Sequence, residues 1–468
     1  MKSYPQSSRR EFVAQATLGL ASTGLAANAA ARKPNVILIY ADDLGYGDLG
    51  CYGGKLRTPN LDRMASEGMR FTNFLSANPV CSPSRAALLT GRYPTRVSVP
   101  RVLFPQDKVG LPDDEMTMAQ MLKPQGYKTM CVGKWHLGHL PQFLPTNRGF
   151  DEYYGIPYSN DMNPPVVLHS VPGKVETVEE RATLETLTPR YTEQALRFIE
   201  KSKDAPFFLY MPHTYPHIPL GASDRFRGKS PHGIYGDVVE EIDWSVGELL
   251  ASLKKHKLDR DTLIMFSSDN GPWYLGSPGM LRGRKGTTYE GGVREPFLAR
   301  MPGRIPAGKV CNGLASTMDV LPSVAKLCGA ALPSKPLDGI DIWPMLSGAK
   351  PSIEREALLY FDNVHLQCAR LGNHKLHVAR YNSQVYSPPP AGGRMNLPLP
   401  KPELYDLSND PDESYDIAPE RPAIVKDIQA RIERLLPTFP EEIQKAYAAT
   451  ATKKTGGQTG TFPRVIAQ

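Results

Sequence analysis

The hydrophobic pattern along the chain switches repeatedly between two periods. Short β-branched and apolar runs at 36–40, 127–132, 207–211 and 262–266 predict buried strands. Between them lie stretches with apolar residues three and four apart, the mark of helices with one buried face. These are 61–69, which follows a Thr58-Pro59-Asn60 start signal, 191–201 and 238–254. In the last, Val238, Ile242, Val246, Leu249, Leu250 and Leu253 share one side. This alternation predicts an α/β fold, with a central mostly parallel sheet flanked by helices. After about residue 348 the pattern changes to strand-like pieces at 357–361 and 374–379, a proline-rich loop at 387–402 and a helix near 423–435. The expected organisation is a main domain over 32–350, a smaller C-terminal α+β subdomain over 351–450 and a loose tail over 451–468.

The polar residues that follow the predicted strands are more informative than the strands. Asp42 and Asp43 come straight after the first, Lys134 and His136 after the second, His213 and His217 after the third, and Asp269 and Asn270 after the fourth. Ligands of open parallel sheets bind beyond the carboxyl ends of the strands. Any one of these pairs reads equally well as a turn or a helix cap. Four together aim metal- and anion-binding side chains at a single edge.

Composition narrows the class without naming a chemistry. The 468 residues are 41% hydrophobic and 22% charged, as in an ordinary globular protein. The 44 prolines and 40 glycines are dispersed, which suits a loop-rich enzyme better than a disordered chain. A net charge of +7 comes without a lysine/arginine block or basic helical stripe, so nucleic-acid binding is not expected. The six cysteines form no CxxC pair and no zinc spacing.

The N-terminus has the order of an export signal. Arg9-Arg10-Glu11-Phe12 precedes a weakly apolar stretch from Ala14 to Ala27, and Ala-x-Ala choices for cleavage follow at 27–31. The paired arginines resemble a twin-arginine signal over 1–31. That implies the twin-arginine export machinery as a partner, a periplasmic or secreted product, and few disulfides because folding precedes export. No later apolar run approaches the roughly 18 residues of a membrane span, so the mature protein is expected to be soluble.

The most specific segment is Pro79-Val80-Cys81-Ser82-Pro83-Ser84-Arg85, running on to Thr90-Gly91. It reads as a loop entering a helix, with Pro83 in the first turn and Gly91 closing the end. Cys81 then lies at a helix N-terminus, where backbone N–H groups favour anions. Alone, such a cysteine would be read as a small buried residue. The stretch also resembles, position by position, the Cys-x-Pro-x-Arg signature of the type I sulfatases, and Gly126-Tyr127-Lys128 through Lys134-Trp135-His136 resembles their second signature. Pro34 through Asp48, Ser268-Asp269-Asn270-Gly271-Pro272, Lys285-Gly286-Thr287-Thr288-Tyr289-Glu290-Gly291-Gly292 and Leu404-Tyr405-Asp406-Leu407 resemble the same family in the same order. Gly155-Ile156-Pro157-Tyr158-Ser159 and the 285–296 segment are most similar to its arylsulfatase A branch.

The resemblance implies an alkaline-phosphatase-like fold and hydrolysis of aryl or carbohydrate sulfate esters. It implies that a separate maturation enzyme oxidises Cys81 to formylglycine, whose hydrated aldehyde supplies the nucleophile. Asp42, Asp43, Asp269 and Asn270 would hold a metal, with position 81 as a further ligand. Hard oxygen donors suit Ca²⁺, with Mg²⁺ the poorer fit. Arg85 would brace the formylglycine and the metal carboxylates. Lys134, His217, Lys285 and Ser159 would contact the sulfate. His217 or Lys285 would protonate the leaving alcohol, and His136 would take a proton from the second geminal hydroxyl. His213 is assigned to packing or support. Without the family, Lys285 reads as a glycine-loop surface charge and Ser159 as a turn residue.

Two other functions fit parts of the pattern. One is a phosphodiesterase or phosphonate monoester hydrolase of the same superfamily, some of which share the formylglycine and the metal site. The other is a sulfated-glycan binder that is never matured. Specificity for the alcohol is expected in the loops at 97–110, 140–180, 219–235 and 380–400.

Overall fold

Asn35–Ala41 forms a strand buried along its whole length. Its side chains alternate between two cores, as a period of two requires. Val36, Leu38 and Tyr40 pack on one face of the sheet, and Ile37, Ile39 and Ala41 on the other. Burying each large apolar side chain contributes roughly 1.5–3 kcal/mol. A strand apolar on both faces therefore belongs at the centre of a sheet covered by helices.

The computed structural model describes Met1 and residues 32–381 and 396–455. The described residues from Pro34 onward form one compact unit. The export signal expected over 1–31 lies, apart from Met1, outside the described residues. No helix among them is long and apolar enough to cross a membrane. Among the described residues no cysteine forms a disulfide.

The main sheet runs Lys309–Cys311, Met69–Leu75, Arg294–Arg300, Thr262–Ser268, Asn35–Ala41, Phe207–Pro212, Lys128–Val132, Glu152–Gly155, Val167–Val171, Lys174–Glu179. A short strand, Ala315–Ser316, pairs beside Met69–Leu75. The five strands from Thr262–Ser268 to Glu152–Gly155 are parallel. In register, Ala41 faces Ser268, Tyr40 faces Pro212 and Cys131 faces Tyr210. The four predicted strand ends are thereby brought to one edge. Helices Leu187–Ser202 and Gly233–Lys255 bury their apolar stripes in one of the two cores.

A second, antiparallel sheet follows in chain order: Leu358–Asp362, His365–Leu371, His374–Tyr381 and Asn396–Asp406. It is tied to the first by a third core, in which Leu359, Phe361 and Leu376 meet Leu75, Ala87 and Val293. Helix Pro422–Leu435 places Ile428 and Ile432 in that same core.

Several expectations need correction at their edges. The first predicted helix ends at Ser66, and Met69 instead opens a strand. The end of the proline-rich loop expected at 387–402 is strand from Asn396, while 382–395 lie outside the described residues. The last helix, Glu441–Thr455, crosses into the segment expected as a loose tail at 451–468, and the rest of that tail is not among the described residues.

Candidate active site

Cys81 is the first residue of helix Cys81–Thr90, which follows the extended Val80 and closes on the left-handed Gly91. Every residue of this helix is buried, so it fits into the molecule as a rigid post. Arg85, one turn on, lies fully inside. Its Nη2 is 2.7 Å from Asp269 Oδ2 and 3.1 Å from Asp42 Oδ2, and its Nη1 donates to the Lys134 carbonyl at 3.1 Å. One guanidinium thus ties together the helix and three strand ends.

Each strand end supplies its own groups. Asp42 follows the Asn35–Ala41 strand and places Oδ1 3.8 Å from the Cys81 sulfur. Asp43, next in the chain, holds a left-handed φ of 63° and donates its N–H to Asp269 Oδ1 at 3.1 Å. His136 has a φ of 59°. Such backbone costs of order 1–3 kcal/mol for a residue with a side chain, and it concentrates where function fixes a geometry. Asn270 donates Nδ2–H to Asp43 Oδ1 at 2.8 Å, while its own Oδ1 is buried with no hydrogen-bond partner. Lys134 contacts Asp42 Oδ2 and donates to Ser159 Oγ at 3.1 Å.

Lys285 comes from a glycine-rich loop that no strand end positions. Its backbone N–H donates to the Pro272 carbonyl at 3.1 Å, and the Gly286 N–H donates to Pro79 O at 2.9 Å. The loop is therefore clipped between the Asn270 turn and the Cys81 turn, and Lys285 Nζ reaches Asp43 Oδ2 at 2.8 Å. His217 donates Nδ1–H to the Ile218 carbonyl at 2.5 Å, leaving Nε2 3.7 Å from Asp43 Oδ2. His136 donates Nε2–H to the Leu103 carbonyl at 2.9 Å, which leaves Nδ1 buried without a partner. His213 is fully buried, and neither ring nitrogen makes a hydrogen bond.

Burial and charge divide the titratable groups. Burial pushes the Cys81 thiol up to about 12. Burial also acts upward on Asp42, but the Lys134 and Arg85 cations outweigh it and hold that carboxylate well below its usual range. Burial and the Asp42 charge push Asp269 up to about 6. Burial raises Asp43 in spite of Lys285. Burial, then the Lys285 and Lys134 charges, press His217 down to about 3.

Ligand atoms of Asp42, Asp43, Cys81 and His217 lie within 4.8 Å of one another. Asp43, Cys81 and His217 of these line a cavity of about 100 Å³, together with His136, Ser159 and Lys285. Asp42, Arg85, Lys134, Asp269 and Asn270 join these groups through the contacts above without lining the cavity, and His213 is buried outside the lining as well. Sequence reasoning did not single out Val102, Phe104, Asp161, Met162, Ile218 and Trp273, which complete the lining. The first four fall inside two loops expected to govern specificity. Trp273 was findable, since it directly follows the Asp269–Pro272 motif.

Residues 34–330 match the sulfatase family, and residues 353–461 match the C-terminal region of aryl-sulfatase. Human arylsulfatase A is 41% identical over 428 residues, covering 83% of this chain and 84% of that protein. Dog N-acetylgalactosamine-6-sulfatase is 42% identical over 390 residues, covering 77% of this chain and 74% of its own. The crystal structure of the PsFucS1 sulfatase from Pseudoalteromonas sp. superposes with a TM-score of 0.77 at 30% identity, over 86% of this chain and 91% of that one. A mostly parallel sheet of alkaline-phosphatase-like type, a charged pocket at its carboxyl edge and matches along most of the chain agree: this chain belongs to the sulfatase family and is a hydrolase of sulfate esters.

Proposed function

We propose that the chain hydrolyses aryl or carbohydrate sulfate esters through a formylglycine made from Cys81, beside a calcium ion. The observation that supports this most is the convergence of Cys81 with Asp42, Asp43 and His217 inside 4.8 Å. A thiol that attacked sulfur here would leave a thiosulfate-type adduct with no easy exit, so the position calls for a different chemistry. The hydrated aldehyde of formylglycine supplies two hydroxyls on one carbon, one to attack sulfur and one whose deprotonation releases sulfate.

The residues present fit a hard cation. Asp42, Asp43 and Asp269 offer carboxylates, and the buried Asn270 Oδ1 has no other partner. Oxygen donors of this kind suit Ca²⁺ over the smaller, more strictly octahedral Mg²⁺. When bound, the ion would acidify the attacking hydroxyl and polarise a sulfate oxygen. Arg85 holds Asp42 and Asp269 in place for it.

The remaining roles belong to side chains in the cavity wall or beneath it. Lys285, in the cavity wall, neutralises the sulfate as charge moves onto the leaving oxygen, and Lys134 adds its charge from beneath through Ser159, the hydrogen-bond partner of both the lysine and the ester. His217 Nε2 and Lys285 Nζ are the two candidates to protonate that oxygen. His136 is set up as a base: its Nε2–H is engaged by Leu103, so the lone pair on Nδ1 is the one left to accept a proton. A formylglycine-generating enzyme and, from Arg9-Arg10, the twin-arginine machinery are the proposed partners, and the product is periplasmic or secreted.

The test is an assay of purified protein, made with and without a formylglycine-generating enzyme, against sulfate esters and phosphate mono- and diesters. Sulfate hydrolysis confined to the matured protein is expected. Phosphodiester hydrolysis exceeding it would favour the other hydrolase reading, and ester binding without turnover the non-catalytic one.

A further inference from the structure

The cavity is too small to enclose more than the sulfate and its nearest atoms, at about 100 Å³. The alcohol must therefore rest against the mouth. That mouth has a composition unlike the floor. Val102, Phe104, Met162, Ile218 and Trp273 are apolar, and each keeps part of its surface accessible. Phe104 is 41% exposed. Trp273 meets Tyr274 edge to face at 4.8 Å, and Tyr274 is itself 54% exposed, so the aromatic surface continues outward from the cavity.

Outside the floor the charge among the lining residues is negative, while the nearby Arg284 guanidinium is turned onto the Trp273 and Gly276 carbonyls at 2.9 and 2.6 Å. Among the described lining residues the floor cation Lys285 is paired with Asp43 at 2.8 Å, and the one acidic side chain outside the floor is Asp161, which is exposed. Arg101, beside Val102, is engaged by both oxygens of Asp107 at 2.8 and 2.7 Å.

These wall residues are fixed to the catalytic groups. The Leu103 N–H donates to Ser82 Oγ at 3.1 Å and the Leu103 carbonyl accepts from His136, which pins Val102 and Phe104 on either side. Arg284 donates to the Trp273 carbonyl at 2.9 Å. Asn160, between Ser159 and Asp161, donates to the carbonyls of His217 and Pro219 at 3.0 and 2.8 Å. A wall anchored in this way holds its shape when the ester arrives.

We propose that the site selects monosulfate esters of uncharged, ring-bearing alcohols, with the ring resting on Phe104 and Trp273 and with a second anionic group on the substrate repelled by Asp161. This rests on the sulfatase reading of the same cavity. Aryl rings and the apolar face of a neutral sugar share the chemistry that such a wall recognises. A polyanionic glycan fragment brings a carboxylate or further sulfate to the rim, where like charges raise the barrier to binding.

The experiment measures kcat/KM of the matured enzyme on 4-nitrophenyl sulfate, on a neutral methyl glycoside monosulfate and on the same glycoside with a second sulfate. The monosulfates are expected to exceed the disulfate, and whichever is faster identifies the ring as aryl or sugar. Asp161→Asn is expected to raise the disulfate-to-monosulfate ratio about three- to tenfold, the scale of a partly screened charge pair. Trp273→Ala is expected to raise KM for both monosulfates more than it lowers kcat. A wild-type enzyme that prefers the disulfate, or a ratio unmoved by Asp161→Asn, overturns the selectivity. Failure to hydrolyse any of the three esters would count against the sulfatase mechanism, a separate outcome.

Discussion

Arg85 and Asp269, 184 positions apart in the chain, meet at 2.7 Å with both side chains fully buried. The same Arg85 nitrogen is 3.1 Å from Asp42, and the second donates to the Lys134 carbonyl. A lysine cannot make this fork of contacts from one ammonium. Arg85→Lys is therefore expected to lower kcat by about 10²-fold or more, because the carboxylates lose their alignment. Steady-state kinetics with circular dichroism to check folding decides it. Near-normal kcat would show that Arg85 is only a packing element.

The carboxylates that Arg85 braces also predict the metal. Asp42, Asp43, Asp269 and the unpartnered Asn270 Oδ1 are held together by Arg85 and by hydrogen bonds at Asp43, and are the proposed oxygen ligands. Elemental analysis is expected to find one calcium per chain, and chelation should abolish turnover. Calcium should restore activity more fully than magnesium. Asp269→Asn is expected to lose both ion and activity. A metal-free preparation with full activity contradicts the assignment.

Stability against acid follows from a different cluster, where the C-terminal sheet meets the glycine loop. Glu290 is 2.7 Å from Arg370 and 3.1 Å from Lys375, and Glu413 is 3.0 Å from Lys375 and 2.9 Å from His377. Burial alone would raise both glutamates from 4.5, but Arg370 and Lys375 outweigh it at Glu290, and Lys375 and His377 at Glu413. Both folded-state values are lowered. Their contribution is thus complete above the ordinary glutamate range and is lost as pH falls through the lowered values. Glu413→Gln is expected to cost about 3–5 kcal/mol at pH 7, the cost of breaking a buried pair, and less as the medium is acidified. Urea unfolding across pH measures this, and a pH-independent difference contradicts it.

Export makes a prediction that rests on the sequence alone. Changing Arg9 and Arg10 to lysine is expected to leave precursor in the cytoplasm. Fractionation and immunoblotting check it, and undiminished export of the double variant would indicate another route.

The strands that were legible in the sequence are those whose burial is purely apolar. Asn35–Ala41, Phe207–Pro212 and Thr262–Ser268 announce themselves by unbroken hydrophobic runs, and their ends announced the site. Met69–Leu75 did not, because a register shift between Phe71 and Phe74 breaks its alternation. Arg294–Arg300 is fully buried yet begins and ends with arginines. Each finds its partner far away or out of pattern: Arg294 with Glu290, and Arg300 with Glu67 and Asp259. In His365–Leu371, Gln367 and Arg370 similarly hide a buried strand. Periodicity cannot see charges that are satisfied across the fold.

The site divides in the same way. Asp42, Asp43, Lys134, His136, Asp269 and Asn270 follow strands and could be placed at one edge from the pattern. Lys285 could not, since its position depends on Gly286 bonding to Pro79, more than two hundred residues earlier. The role proposed for it came only from likeness to a family. The mouth residues Ile218 and Trp273 fall outside the loops expected to set specificity, because they extend the turns that carry His217 and the Asp269–Asn270 pair.

The central claim is that turnover depends on conversion of Cys81. A thiol buried at the helix start that attacked sulfur would have no productive exit for sulfate. Cys81→Ala should abolish turnover with little loss of stability, since both side chains are small. Cys81→Ser should at best accumulate a sulfated enzyme. The most direct measurement is mass spectrometry of the tryptic peptide from Phe71 to Arg85, taken from the same preparation whose specific activity is assayed. Activity rising in proportion to the formylglycine content of that peptide is the result expected. Fully active enzyme with only unmodified cysteine at position 81 would contradict it.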